Sequence, residues 1–459
     1  MKKFLKVGFC VLVMFCAASM VFAGGQGGSS GGTEVRLGIY PEADQPSEVA
    51  MHQEFIKRFN EKHPNVRITP AQYRYQLDTF MPLAQSGRLP TIFETWFTET
   101  EKLINGNFIR DITAEVKARG WDTKMNAGIR DIVSKDGKIY GVPRDGYALG
   151  LYINVPLFRQ AGLVDANGVP AYPKTWAEFV TVATRIKERT GQPAICLLAK
   201  DNAGGWHFSN IAWAFGARFV TLQGNRYVAN MNSAAAVQAL TFIKELKWTH
   251  DVLTADPTNE DWGTGWRAIG TGTAAMYIGA HDGINQINEV WGLPVGDVML
   301  APLPAGPGGQ FSLMGGTYYT FARNATTDQV NAALDYLEIM GRAPIVSNDT
   351  RVGLMRDAAR RKNAGIPVIP EFPAWDFPEL IQAKQEAIDM FSNVNMRLYN
   401  DYYATIAKSG NVRAEELFAQ DVYAELTKAL QEVITNRNAD PKALLDIAQR
   451  NVQTLLNAQ

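Results

Sequence analysis

The sequence predicts an α/β protein with more than one domain's worth of core, exported from the cell interior. Three observations carry this. Short apolar strands alternate with helical stripes from about residue 34 onward. The 459 residues exceed what a single hydrophobic core organises. The N-terminus has the pattern of a secretory signal.

Lys2, Lys3 and Lys6 form a positive n-region, and an apolar stretch runs from Val7 to Phe22. Val21-Phe22-Ala23 then places small side chains at the minus-three and minus-one positions, so residues 1–23 are expected to be a cleaved signal peptide. The stretch falls short of the ~20 strongly apolar residues of a membrane span. Lipidation at Cys16 is the rival route, and Met14-Phe15 ahead of it fit a lipoprotein signal poorly. With Cys10 and Cys16 removed, Cys196 is the one cysteine of the mature chain, and the fold must hold by burial without an internal disulfide.

Removal of 23 residues leaves 436, and loss of three lysines takes the formal charge from −1 to −4. A mildly acidic chain without a basic stripe is not expected to bind nucleic acid. Its apolar content is ordinary and holds no second long apolar run, so a soluble periplasmic protein is expected.

The elements follow in order. Gly24 to Gly32 reads GGQGGSSGG, which makes residues 24–33 a flexible linker. Glu34 to Tyr40 alternates as a first strand. A helix begins near Ser47, carries Met51, Phe55 and Phe59 on one face, and stops at His63-Pro64. Val66-Arg67-Ile68 is a second strand. Thr175-Trp176-Ala177-Glu178 is a capping box, followed by Phe179, Ala183 and Ile186 at helical spacing. Gly191-Gln192-Pro193 breaks that helix, and Ala194 to Ala199 reads as a buried strand. Val237, Leu240 and Ile243 mark another helix. Phe418, Val422, Leu426, Ala429 and Val433 form a stripe near the C-terminus. Asp440-Pro441 then starts a last helix with Leu444, Ala448, Val452 and Leu455. There is no phosphate loop, Gly-x-Ser-x-Gly, His-Glu-x-x-His or Cys-x-x-Cys, and no internal repeat.

Several segments together resemble the family 1 extracellular solute-binding proteins, the group that includes the maltose-binding protein. Phe59-Asn60-Glu61-Lys62-His63-Pro64-Asn65-Val66-Arg67-Ile68 is similar to that family's opening helix and strand. Ser86-Gly87-Arg88-Leu89-Pro90-Thr91-Ile92-Phe93 is similar to its Ser-Gly-x-x-Pro-Asp-Val segment, with Thr91 in place of the acid. Gly137 to Pro143, Leu151 to Asn154 and Leu157 to Leu163 resemble the first crossing between lobes. Pro173-Lys174-Thr175-Trp176 resembles a family helix start, Gly272 to Gly279 its Ala-Ala-Met strand, and Leu303 to Pro307 the return crossing.

The resemblance implies a two-lobed, periplasmic-binding-protein-like α/β fold of the class II type, with a ligand cleft between the lobes. Lobe one is expected over 34–146 and 303–350, and lobe two over 147–302 and 351–459. It implies the substrate-binding subunit of an ABC importer: a monomer that closes on its solute, docks on membrane permease subunits, does no chemistry and needs no cofactor. A carbohydrate, more specifically an oligosaccharide, is the expected ligand, because the chain offers ten tryptophans, several of them read as loop residues.

The expected stacking rings are Trp96, Trp206, Trp262, Trp266 and Trp375, while Trp176 and Trp248 are assigned to packing. The expected polar contacts are Asp44, Glu94, Asp145, Tyr147, His281, Asp282 and Tyr318, with Glu99 beside Trp96 and Gly315-Gly316 allowing close backbone approach. For each acid, a helix cap or solvated loop is the competing role. Two other readings stay open. Tyr318-Tyr319 and Tyr402-Tyr403 resemble the adjacent tyrosines of ferric-binding relatives. A secreted carbohydrate-active enzyme with two catalytic carboxylates leaves no local signature. Arg144 and Arg351 are candidates to pair with a uronate.

Overall fold

The computed structural model describes residues 32–458 apart from Asp44. The expected signal peptide with its two cysteines, most of the linker, and Asp44 lie outside the described residues. The strand Thr33–Leu37 pairs in parallel with Val66–Pro70 and with Ile92–Trp96, and the helix Pro46–Lys62 is the crossover between the first two. That helix ends where the N–H of His63 reaches the carbonyl of Phe59, because Pro64 cannot continue it.

Ile92–Trp96 pairs antiparallel with Ser312–Phe321, which pairs in turn with the Gly141 to Ala148 half of the strand Gly141–Asn154. The other half of that strand takes new partners, Met276–Ala280 and Val298–Ala301. One strand therefore serves both lobes and changes neighbours at Ala148-Leu149. The buried side chains divide at the same place. One core draws on Val35 to Val142 and Met314 to Ala343, and also takes Trp375, Phe377 and Leu380. The larger core draws on Leu149 to Leu313 and Leu398 to Leu456, with Ile369. These joints differ from the expected boundaries at 303 and 351. The return strand changes core in mid-strand, between Leu313 and Met314. The loop after residue 366 folds back over the first core, where Asn126 N–H donates to Ala374 and Asp376 N–H to Lys124.

Some expected elements are displaced. The stretch Ala194 to Ala199 is buried throughout, but only Ile195–Cys196 is strand. Met51 is exposed while its neighbour His52 is buried. Phe418 sits outside its helix as a left-handed cap at φ 55°, and Ala419–Thr435 is the helix. The last helix, Pro441–Leu456, buries Leu445, Ala448, Val452 and Leu456 and exposes Leu455. Its ends are rotated by one residue from the expected stripe, because leucine pairs at 444–445 and 455–456 suit either face.

Trp206, Trp262 and Trp266 are helical rather than in loops. They lie on Asp201–Phe215 and Trp262–Thr271. Gly204-Gly205 does not break the first of these helices. A Cβ on Gly205 would stand 2.3 Å from the carbonyl oxygen of Tyr423, so the glycine lets Asp201–Phe215 lie directly on Ala419–Thr435.

Candidate binding cleft between the lobes

The shared strand sets the floor of the site. Its register puts Tyr147 beside Gly315 and Asp145 beside Thr317, and Thr317 also pairs with Trp96 on the other side. The Asp145 carboxylate accepts from the Thr317 N–H and hydroxyl, both at 2.9 Å. Arg144 donates to the same carboxylate at 2.5 Å and lies 3.0 Å from Glu94. One guanidinium thus serves two carboxylates. The glycines at 315 and 316 make room for protein: a Cβ on Gly315 would be 2.2 Å from the Tyr147 hydroxyl.

Aromatic rings stand over this floor. Tyr147 and Trp206 have centroids 6.5 Å apart at 77°, and Trp206 and Trp262 are 6.2 Å apart at 78°. Trp206 is 6 % exposed and Trp262 48 %. The Asp261–Thr264 capping box fixes Trp262 as the first residue of its helix, and Lys200 holds Asp261 at 3.2 Å. Across the floor Trp96 is 39 % exposed, with its ring 5.5 Å from Tyr75 at 67°.

Acids complete the ring. Asp282, at the end of Met276–Ala280, opens to solvent. Partial desolvation of the carboxyl, then the charge of Asp145, push it up to about 6 even though the residue is exposed. Glu415 receives the Tyr423 hydroxyl at 3.3 Å. Burial first, then the facing Glu99, push the Glu415 carboxyl up to about 8. Glu99 is buried, accepts from Tyr75 at 2.7 Å, and is also raised by burial. Burial first, then the charges of Glu415, Asp282 and Asp145, push the Tyr147 hydroxyl well above its ordinary range.

The structure therefore brings together Glu94, Trp96, Asp145, Tyr147, Trp206, Trp262 and Asp282. Four expected residues have other surroundings. Trp375 is 8 % exposed, donates its Nε1–H to the Arg342 carbonyl at 3.1 Å and sets its ring against Trp121, so it is a packing group of the first core. The Tyr318 side chain is fully buried. His281 is buried and accepts at Nε2 from the Phe372 N–H at 3.1 Å, and burial keeps its ring neutral by pushing it down to about 4. Trp266 packs behind Asp282, its Nε1 2.2 Å from where a Gly283 Cβ would be.

Thr317 lies in the segment Gly315-Gly316-Thr317-Tyr318 that the sequence already offered, whereas Glu415 and Tyr423, eight residues apart, were not legible as site residues because no motif marks them. The hydroxyls of Tyr402 and Tyr403 donate to the carbonyls of Ala148 and Pro370, both at 2.7 Å, and so serve the backbone. Arg351 is held by Glu386 at 2.6 Å. Among the described residues no group of three or more His, Cys, Asp and Glu side chains is placed to hold a metal ion, and no helix is long and apolar enough to cross a membrane.

The profile of the bacterial extracellular solute-binding proteins matches residues 43–344, well over half of the chain. The chain belongs to this family. Among curated relatives, this solute-binding protein is 29% identical over 181 residues to an uncharacterized ABC transporter extracellular-binding protein of Pyrococcus horikoshii, covering 37% of this chain and 38% of that one. It is 25% identical over 183 residues to the lactose-binding protein of Rhizobium radiobacter, covering 36% and 42%. The match thus spans about two fifths of the length of these relatives. A solved ABC transporter solute-binding protein of Thermotoga lettingae, bound with alpha-D-tagatose, superposes with a TM-score of 0.69 at 15% identity, over 92% of this chain and 100% of that chain. At that identity the likeness is one of fold. The neighbours are two-lobed binding proteins, and this chain has the same α/β architecture.

Proposed function

We propose that this solute-binding protein captures a carbohydrate between its lobes in the periplasm, as a monomer, and hands it to the permease subunits of an ABC importer without chemistry of its own. The observation that carries this reading is the pair of tryptophans left open at the cleft, Trp96 and Trp262, 39 % and 48 % exposed, on either side of the Asp145-to-Tyr147 floor. A sugar's C–H faces stack on such rings, and its hydroxyls donate to carboxylates like those of Asp145 and Asp282. The relative named a lactose-binding protein, and the solved neighbour bound with alpha-D-tagatose, support the same class.

In this reading lobe one takes residues 34–148 and 314–343 with the 375–380 segment, and lobe two takes 149–313 and 398–456. The two separate cores support that division. The ligand contributes by preferring the closed arrangement.

A thermal-shift screen over mono- and oligosaccharides tests the proposal, since a ligand at a hundredfold excess over its Kd adds ~2.7 kcal/mol. Trp262→Ala and Trp96→Ala should each weaken the best sugar by roughly 30-fold in calorimetric titration, the cost of losing an anchor from a desolvated pocket. Unchanged affinity in both, with native circular dichroism, would falsify the stacking mode.

A further inference from the structure

We propose that His281 is a positioning residue for solute capture: its ring pins a lobe-spanning segment, Ile369 to Phe377, and through it ties the wall that carries Asp282 to the floor strand of the other lobe. The inference rests on the two-lobed capture reading and deepens it. Three features of the geometry carry it.

The first is the path of the segment. Ile369 belongs to the larger core, and Trp375 and Phe377 belong to the smaller one, so the chain crosses between the lobes over these residues. On the lobe-two side the Tyr403 hydroxyl donates to the Pro370 carbonyl at 2.7 Å, and the Phe372 N–H donates to His281 Nε2 at 3.1 Å. On the lobe-one side the Asn126 N–H donates to the Ala374 carbonyl at 3.1 Å, the Asp376 N–H to Lys124 at 2.7 Å, and Trp375 Nε1–H to Arg342 at 3.1 Å. The change of partner falls at Phe372. Its N–H is held by one lobe and its ring lies on the other, where a Cβ on Gly146 would stand 3.0 Å from that ring.

The second is where the two ends of this link arrive. Gly146 lies between Asp145 and Tyr147 in the cleft floor. His281 and Asp282 are consecutive residues of one tight turn, His281–Gly283, with the imidazole buried and the carboxylate exposed. A solute held between Asp282 and the floor therefore bears on both ends of the link from Asp282 through His281 and Phe372 to Gly146.

The third is the state of the ring. A backbone N–H can only donate, so Nε2 accepts and the proton of the neutral imidazole sits on Nδ1. That Nδ1 is buried without a hydrogen-bond partner, which is unfavourable. An apolar side chain would fill the same space without that cost, so what the imidazole adds at this position is its one bond, to the crossing segment. The segment is held more firmly by lobe one, where three hydrogen bonds and the packing of Trp375 on Trp121 secure it. Parting of the lobes thus breaks the Phe372–His281 bond, and closure remakes it.

Spin labels on Glu54→Cys and Glu188→Cys, exposed positions of the helices Pro46–Lys62 and Trp176–Thr190, report the distance between the lobes by double electron–electron resonance; Cys196 is buried. In the ligand-free mature protein, His281→Leu should lower the ratio of closed to open molecules about fivefold, the scale of one lost hydrogen bond. His281→Gln, whose amide oxygen can accept from the Phe372 N–H, should restore it. Gly146→Ala, which presses on the Phe372 ring from the floor, should lower the ratio with His281 intact. Thermal melts verify that each variant folds. A ratio unmoved by His281→Leu, or lowered equally by His281→Leu and His281→Gln, overturns the inference and leaves His281 a packing group. A wild-type protein with no closed molecules overturns it as well. Lactose and D-tagatose, added to the wild-type protein, test the capture reading separately: a ratio that neither sugar raises counts against that reading, whereas the ligand-free comparison tests the link alone.

Discussion

Burial, then the charge of Glu99, hold the Glu415 carboxyl toward its protonated form, against the hydrogen bond donated by the Tyr423 hydroxyl, which favours the carboxylate. Folding raises its pKa from 4.5 to about 8. The folded state therefore holds more protons between those values than the unfolded chain. The associated stability is fully present below the unfolded pKa and is lost as the pH rises through about 8. Denaturant melts from pH 5 to 8 should show a loss approaching ~1.4 kcal/mol per pH unit from this one group. Glu415→Gln should flatten that slope, and parallel slopes in both proteins would contradict the assignment. At this scale the sequence was a partial guide. Asp282 and Tyr147 were legible because they end or sit within strands that could be read. Trp375 was not. Its Pro-rich surroundings read as an open loop, yet the loop lies over Trp121 and buries the ring. Glu415 carries no local pattern, and Glu99, whose charge acts on it, comes from far along the chain.

Two glycines show how an element depends on what it touches. Gly205 is in a helix interior, where glycine costs about 1 kcal/mol relative to alanine. A methyl there would meet the Tyr423 backbone at 2.3–2.7 Å, so Gly205→Ala should destabilise by roughly 1–3 kcal/mol or more as the helices are pushed apart. Gly353, in the exposed helix Asn348–Asn363, has nothing within 4 Å of its Cβ position. Gly353→Ala should therefore stabilise by up to about 1 kcal/mol. Chemical denaturation of the two variants checks both signs, and a stabilising Gly205→Ala would contradict the helix contact described above. The helix Trp176–Thr190 followed from its cap and stripe, and Ala234–Trp248 from its stripe. The helix at Trp206 was legible, but its beginning at Asp201 was hidden, since a Gly-Gly pair reads as a break until its packing partner is known.

The two lobes touch beyond the crossing strands. Tyr227, on the small hairpin Val220–Gln223 and Arg226–Ala229, donates to Glu101 on the first-lobe helix Thr100–Asn105 at 2.5 Å. Gln420 donates to the Thr98 hydroxyl at 3.1 Å. These bonds favour the arrangement in which the cleft walls face each other, and a ligand that needs that arrangement benefits from them. Tyr227→Phe should weaken solute binding by about 1 kcal/mol, roughly fivefold. It should also raise the radius of gyration of the ligand-free protein in X-ray scattering. No change in either quantity would mean that these contacts do not bias closure.

The α/β class, the chain-wide family resemblance and the expectation of an acidic, aromatic site followed from the sequence alone, because strand alternation, helical stripes and caps are local. Tertiary structure decided which rings are buried, which arginine is already engaged and where the buried cores divide. Those depend on residues far apart along the chain, as Arg144 is from Glu94 and from Thr317. A one-dimensional pattern records the period of a side chain along its own element. The partner that the side chain meets is set only when the crossing strands bring distant segments together.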